Sequence, residues 1–224
     1  MSINIFGYWY DSKITDFTRN SVKKSIKNNP YLQYYIYDDK QSKLFLKKYF
    51  NKDVLYAYNK LIPYSFKSDL IRFCLLYIFG GIYIDLKLVL NPINVSFFKK
   101  FDYHFAKNRR LGGKSWKIVE NSFLFFKKPG NPLLKKVIER IVDNVKRRDK
   151  TSHKLYISGP MLLGEYLKDL QPTLKFKGQK KPKRKFIYSY NGYNIIDNEL
   201  ENYYQNKNNQ KYWTLWDQNK VFKQ

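Results

Sequence analysis

Ser68-Asp69-Leu70-Ile71-Arg72-Phe73-Cys74-Leu75-Leu76-Tyr77-Ile78-Phe79-Gly80-Gly81-Ile82-Tyr83-Ile84-Asp85-Leu86-Lys87-Leu88-Val89-Leu90 is the stretch whose reading decides the fold. Its first half reads as a helix. Ser68 suits an N-cap, Asp69 suits the positive first turn, and Gly80-Gly81 suits a left-handed stop. Apolar residues from Leu70 to Phe79 cover nearly every side, so the helix is expected to be buried all round. Asp69 and Arg72 are three apart and share one face. The second half alternates like a strand. Ile82, Ile84, Leu86, Leu88 and Leu90 face one way, and Tyr83, Asp85 and Lys87 the other. A buried helix and strand thus carry two carboxylates and two cations that a core does not need.

The run S-D-L-I-R-F-x-L-L-Y-x-F-G-G-I-Y-I-D-L-K closely resembles the sugar-nucleotide-binding segment of family 32 glycosyltransferases. Their pattern is S-D-x-x-R-x-x-x-L-x-x-x-G-G-x-Y-x-D-x-D, ending in the D-x-D motif of a GT-A fold. Weaker resemblance extends from Asn29-Pro30 to the Trp213–Trp216 region. Lys87 stands where the second Asp usually stands, and some members of the family carry D-x-K. The resemblance implies an α/β fold, a single GT-A-like domain over 1–224 with a Rossmann-like central mixed sheet flanked by helices. It implies a hexosyltransferase-like enzyme that moves a sugar from a UDP- or GDP-linked donor, with retention, to a glycan, protein or lipid acceptor.

The site residues follow from the same resemblance. Asp69, Arg72 and Asp85 are the expected catalytic group. Trp9, Gly80, Gly81, Tyr83, Lys87, Asn121, Gly159, Pro160 and Trp216 join them as donor-binding residues. Asp85 and Asp217 are the expected ligands of a divalent cation, Mn²⁺ or Mg²⁺, which bridges the donor phosphates in such sites. Lys87 offers an alternative, a point cation that replaces part of the metal charge. The bland reading is an Asp85–Lys87 surface pair worth less than about 1 kcal/mol, which would leave a non-catalytic nucleotide-sugar binder.

Trp9 has two readings of equal weight, a base-stacking ring or a residue closing the sheet edge. The resemblance implies that the tail 205–224, with Tyr212-Trp213-Thr214-Leu215-Trp216-Asp217, closes over the donor site; a terminal strand packed by aromatics is a reading of equal weight.

Outward from the central stretch, Asn4–Trp9 reads as the opening strand, with Ile3, Ile5 and Tyr8 inward. A helix over 18–28 ends at Asn29-Pro30, and a strand over 34–37 is closed by Asp38-Asp39, an acidic turn whose commoner reading is a solvated turn and whose functional reading is a ribose contact. Two short surface helices follow over 41–50 and 53–61. Arg109, Arg110 and Gly112-Gly113 read as a loop, and 122–126 as a strand after Glu120-Asn121. Asn131-Pro132 opens a clean amphipathic helix. Tyr156-Ile157-Ser158-Gly159-Pro160 matches the family's short S-G-P element. Residues 175–185 hold seven basic residues and read as a mobile surface loop, with a lid or an anion contact as the functional reading.

Composition bounds the rest. The 224 residues are 43% hydrophobic and 19% aromatic, which excludes a largely disordered chain. Cys74 is the single cysteine, so no internal disulfide forms and a reducing compartment is expected. No signal-peptide pattern opens the chain and no run reaches the ~18 apolar residues of a membrane span, so a cytoplasmic, soluble protein is expected. A net charge of +25 admits attraction to anionic membranes, nucleic-acid binding, or a bias toward lysine spread along the chain. Sequence-specific nucleic-acid recognition is not expected, because the tightest spacing centres on Asp69 and Asp85, and carboxylates repel phosphate backbones.

Overall fold

The computed structural model describes residues 3–11, 13–62, 64–108, 118–148, 153–178, 185–191 and 193–199. Strand β1 (Asn4–Tyr8) lies between β2 (Gln33–Tyr37) and β3 (Gly81–Ile84) and runs parallel to both. Beyond β3 come β5 (Ile118–Phe126), β4 (Tyr103–Asn108), β6 (Leu174–Gly178), β7 (Lys185–Tyr190) and β8 (Tyr193–Glu199). The full order is β2-β1-β3-β5-β4-β6-β7-β8, a mixed eight-stranded sheet with β4 parallel to β6 and the other outer pairs antiparallel.

Each face of the sheet has its own apolar layer, as strand alternation requires. Phe6, Tyr8, Tyr83, Leu124 and Phe126 meet α2 (Asp39–Tyr49), α3 (Lys52–Lys60), α4 (Tyr64–Phe79), α6 (Pro132–Lys146) and α8 (Pro160–Leu167). Ile5, Ile82, Ile84, Phe123 and Phe125 form the opposite layer with Phe98 of α5 (Val95–Lys99) and Phe17 of α1 (Asp16–Asn28). A short α7 (Lys154–Ile157) leads into α8. The expected α/β architecture is therefore present.

Helix α4 is buried all round, with Leu70, Ile71, Phe73, Cys74, Leu75 and Leu76 shut from solvent. Burial raises the Cys74 thiol pKa well above its ordinary value, which keeps it an inert core residue. Its start differs from expectation. The helix begins at Tyr64, so Ser68 is an interior residue and not the N-cap. Ser68 Oγ instead accepts from Arg72, four residues on.

The strand after Gly80-Gly81 is also shorter than the alternation suggests. It ends at Ile84, and Asp85 to Leu88 form a turn in which the Leu88 N–H donates to the Asp85 carbonyl. Burial still alternates, because Leu86, Leu88 and Leu90 remain inside. Lys87 therefore sits in a turn, and period-2 geometry does not set its direction relative to Asp85.

Residues 175–185 differ as well. Leu174–Gly178 and the residues from Lys185 onward pair as antiparallel strands, with Leu174 buried and Lys175 exposed. The lysine count there hides a period-2 pattern; residues 179–184, together with Arg109, Arg110 and Gly112-Gly113, lie outside the described residues. Strand β5 starts at Ile118, which places Glu120 and Asn121 inside it and not before it.

Gly81 joins α4 to β3 at φ +90, and a Cβ there would lie 2.5 Å from the Asn4 carbonyl oxygen. Gly81→Ala is expected to lower stability by about 2 kcal/mol, read as a shift in the urea midpoint with unchanged slope.

Candidate active site

Strands β1, β2 and β3 end at one edge of the sheet, and the chain order places β2 and β3 on opposite sides of β1. That is a switch point, where open α/β sheets form a ligand crevice. Asp38 and Asp39 follow β2, Trp9 and Tyr10 follow β1, and Asp85 follows β3. The expected pair from α4, Asp69 and Arg72, reaches the same edge.

Arg72 is the centre of this cluster, with its side chain 4% exposed. Its Nη2 lies 3.2 Å from Asp69 Oδ1 and 3.5 Å from Asp85 Oδ1. Nε donates to the Ser68 carbonyl at 3.1 Å, Nη2 to Ser68 Oγ at 2.8 Å, and Nη1 to the Asn121 carbonyl. The guanidinium carbon stands 4.5 Å from the Tyr83 ring centroid, a cation–π arrangement. Burial works against the Arg72 charge, but Tyr83, Asp85 and Asp69 outweigh it and hold the group protonated.

Asp69 is enclosed from three elements. Asn121 Nδ2 donates to Oδ1 at 2.8 Å, and Ser158 Oγ donates to Oδ2 at 3.1 Å. Gly159 is the residue before α8, and a Cβ on it would come within 3.2 Å of Asp69 Oδ2. The bare backbone lets the carboxylate approach the positive end of that helix. Burial pushes the Asp69 carboxyl up to about 7, and Asp85 adds to this, against the opposing pull of Arg72, Ser158 and Asn121. Its side chain keeps 14% exposure, so one margin of the group remains open to a ligand.

Asp85 is the more open carboxylate, 24% exposed. Its backbone N–H donates to the Ser122 carbonyl, and its Oδ1 accepts from the fully buried Tyr83 hydroxyl at 3.3 Å. That hydroxyl also lies 2.9 Å from Ser68 Oγ.

Asp69, Arg72, Tyr83, Asp85, Asn121 and Gly159 thus converge, with Pro160 opening α8 beside them. Gly80 and Gly81 do not join them. They sit at the other end of β3, about 13 Å from Asp85 at strand rise. Trp9 is buried against Val22 and Leu86, and its indole N–H donates to the Lys13 carbonyl. Its ring stacks on Tyr10 at 5.3 Å, and Tyr10 stacks on the exposed Tyr64 at 4.4 Å. Trp216 and Asp217 lie outside the described residues.

Three contributors carry no site signal in the sequence. Ser158 stands only within the S-G-P element, yet its hydroxyl donates to Asp69. Ser68 has only the residue type of a helix cap. Tyr188 of β7 lies within 2.5 Å of Ser122 Oγ, and no local pattern connects positions 66 apart in the chain.

Among the described residues, no group of three or more His, Cys, Asp or Glu could hold a metal ion. The gap between Asp69 and Asp85 already contains the Arg72 guanidinium, a cation that shares both carboxylates. The described donor set therefore does not fit a divalent ion between them.

Residues 15–99 match a family model described as the glycosyltransferase sugar-binding region containing DXD motif. That span contains Asp69, Arg72, Tyr83, Asp85 and Lys87. No curated protein sequence matches the chain. Among solved structures, the PaToxG glycosyltransferase superposes with a TM-score of 0.56 at 20% identity, over 74% of this chain and 68% of that one. The apo-form glycosyltransferase GlyE of Streptococcus pneumoniae TIGR4 gives 0.47 at 14% identity, over 79% of this chain and 45% of its own. The PaToxG likeness is one of fold.

The Asp69 environment predicts a pH-dependent stability. The folded chain keeps a proton up to about pH 7 that the unfolded chain, with a carboxyl near 3.8, has already released. Stability from this group therefore falls as pH rises between those values and levels off above them. Urea melts of the native chain and of Asp69→Asn between pH 4 and 8 should differ by this slope, which the variant lacks.

Proposed function

We propose that this chain, which carries a DXD-type glycosyltransferase sugar-binding region on a glycosyltransferase-like fold, transfers a sugar from a nucleotide-diphosphate donor, UDP- or GDP-linked. The observation that carries this reading is the placement of Asp69 and Asp85 around one buried guanidinium at the switch-point edge of the sheet. Acceptors of the glycan, protein or lipid classes fit the reading, and 1–224 acts as one domain within it.

The residues divide the work. Asp85 presents its open oxygen to the ribose or donor-sugar hydroxyls, and Asp69 presents its exposed margin to the sugar. Arg72 has most of its donors taken by the Ser68, Asn121, Asp69 and Asp85 oxygens, so it acts as a positioning residue that fixes both carboxylates. The exposed Tyr64, backed by Tyr10 and Trp9, supplies a flat aromatic surface for the base near the ends of β1 and β2. This moves the stacking role from Trp9 itself to the outer ring of its stack.

Transfer with retention needs the acceptor oxygen to approach the face from which the diphosphate leaves. The new bond forms between acceptor oxygen and anomeric carbon, the carbon–phosphate-oxygen bond breaks, and the acceptor proton passes to the departing phosphate. Negative charge on that phosphate needs a counter-charge. A divalent ion would supply it when bound, with Asp85 and Asp217 as the candidate protein ligands. Lys87 is the alternative cation, and its place in the D-x-K sequence favours a second reading, a binder without turnover.

Donor hydrolysis across UDP- and GDP-sugars, in EDTA and again with added Mn²⁺, separates these readings. Turnover restored by Mn²⁺ supports the metal, full turnover in EDTA assigns the counter-charge to the protein, and binding without hydrolysis supports the second reading. Asp85→Ala is expected to weaken donor binding by about a hundredfold, since it removes a charged hydrogen-bond acceptor. Calorimetry on the folded variant checks this, and unchanged affinity would sink the site.

A further inference from the structure

The basic charge of this chain has a structured concentration away from the carboxylate site. Helix α2 turns Lys40, Leu44, Lys47 and Lys48 outward, spaced i, i+4, i+7 and i+8 on one face, and all four are exposed. Leu44 is 61% exposed, the most exposed aliphatic side chain among the described residues. The next helix, α3, packs beside α2 and turns Lys52, Tyr56 and Lys60 along one side. Lys48 lies over the Tyr49 ring at 5.1 Å, and Lys60 over the Tyr56 ring at 5.8 Å.

The acids of this segment do not offset its charge outward. Residues 39–60 hold six lysines and two aspartates. Asp39 is engaged by Lys43 at 2.5 Å and by Lys67 at 2.9 Å, and Asp53 by Lys146 at 2.7 Å. Four of the large exposed apolar or aromatic side chains, Leu44, Tyr49, Tyr56 and Ile62, fall within this same segment or directly after it.

From this we infer that the α2–α3 surface docks on the headgroup region of an anionic lipid bilayer. Lysines near a membrane surface are drawn to acidic headgroups, and tyrosine rings sit well at the level of those headgroups. An exposed leucine ringed by three lysines matches such an interface, with its side chain entering the acyl boundary. A nucleic-acid backbone would also attract the lysines, but it offers Leu44 nothing. The surface begins at the N-terminus of α2, directly after Asp38 and the end of β2, so docking there holds the switch-point crevice close to the membrane. The surface is independent of what the carboxylate site transfers.

Vesicle co-sedimentation of the full chain at physiological salt tests this, comparing phosphatidylcholine alone with phosphatidylcholine containing 30 mol% phosphatidylserine as about one lipid in three. The native chain is expected to sediment with the anionic vesicles only. Lys40→Glu, Lys47→Glu and Lys48→Glu together should lower the partition coefficient by about a hundredfold or more. The triple Lys23→Glu, Lys24→Glu, Lys27→Glu variant on α1 changes net charge equally from the opposite face of the sheet, and should have a much smaller effect. Leu44→Ser should weaken partition severalfold, and circular dichroism confirms that each variant is folded. Equal losses from both triple variants would overturn the proposal, because bulk charge would then explain binding. No partition to anionic vesicles, no effect of Leu44→Ser, or displacement of bound protein by stoichiometric duplex DNA would overturn it too.

Discussion

A single buried guanidinium organises the carboxylate-bearing edge of this sheet. Arg72 is placed by α4 in a position that water scarcely reaches, where an unpaired cation would be strongly unfavourable. Its charge is met by two carboxylates from different elements, by two backbone carbonyls and by the Tyr83 ring face. Removing one carboxylate leaves this buried charge less fully compensated, a cost that the remaining partners limit. The orientation of α4 against β3 and β5 is therefore fixed by polar geometry as well as by apolar contact. The planar guanidinium suits this role better than a lysine would, because its donors point in fixed directions.

Helix α4 is also held from a second side. Lys67 lies two residues before Asp69 and points elsewhere around the helix, at 100° per residue. It reaches Asp39 at the start of α2, where the Tyr58 hydroxyl also donates to the same carboxylate oxygen and pairs with Tyr8. Burial alone would raise the Asp39 carboxyl, but Lys43, Lys67 and Tyr58 hold it below its ordinary range. The first turns of α4 are thus clamped between the end of β2 and the end of β3. Those are the two strand ends on either side of the switch point, so charge helps to set the spacing between them.

Much of this was legible in the sequence because it is local. The i, i+3 placement of Asp69 and Arg72, the glycine pair and the apolar run of α4 each follow from spacing along a few residues. The Asn131-Pro132 helix start was equally plain, as Asn131 caps α6 and Pro132 follows. What was not legible depends on distant partners. Ser68 resembles an N-cap by type, but only the fold shows Tyr83 and Arg72 beside its hydroxyl. Asp85 and Lys87 alternate in sequence like strand residues, yet the β3 ladder stops at Asp85: its amide still donates to Ser122 of β5, but its carbonyl turns to accept from Leu88. Ser158 meets Asp69 across 89 positions of chain, and no spacing rule connects them.

A carboxylate-lined site inside a chain of net charge +25 separates two length scales of electrostatics. Within the cluster, Asp69, Arg72 and Asp85 interact over less than 4 Å in a poorly solvated setting, where salt has little influence. The lysines of α1, α2 and α3 lie on the surface, where fields fade over about 8 Å at physiological ionic strength. They can draw anions toward the molecule, but they cannot supply directional contacts. Within the proposed function, selectivity therefore belongs to the acidic cluster and encounter to the basic exterior. The two sets differ in setting: the cluster acts through buried, directional contacts, and the lysines act through a screened and undirected field.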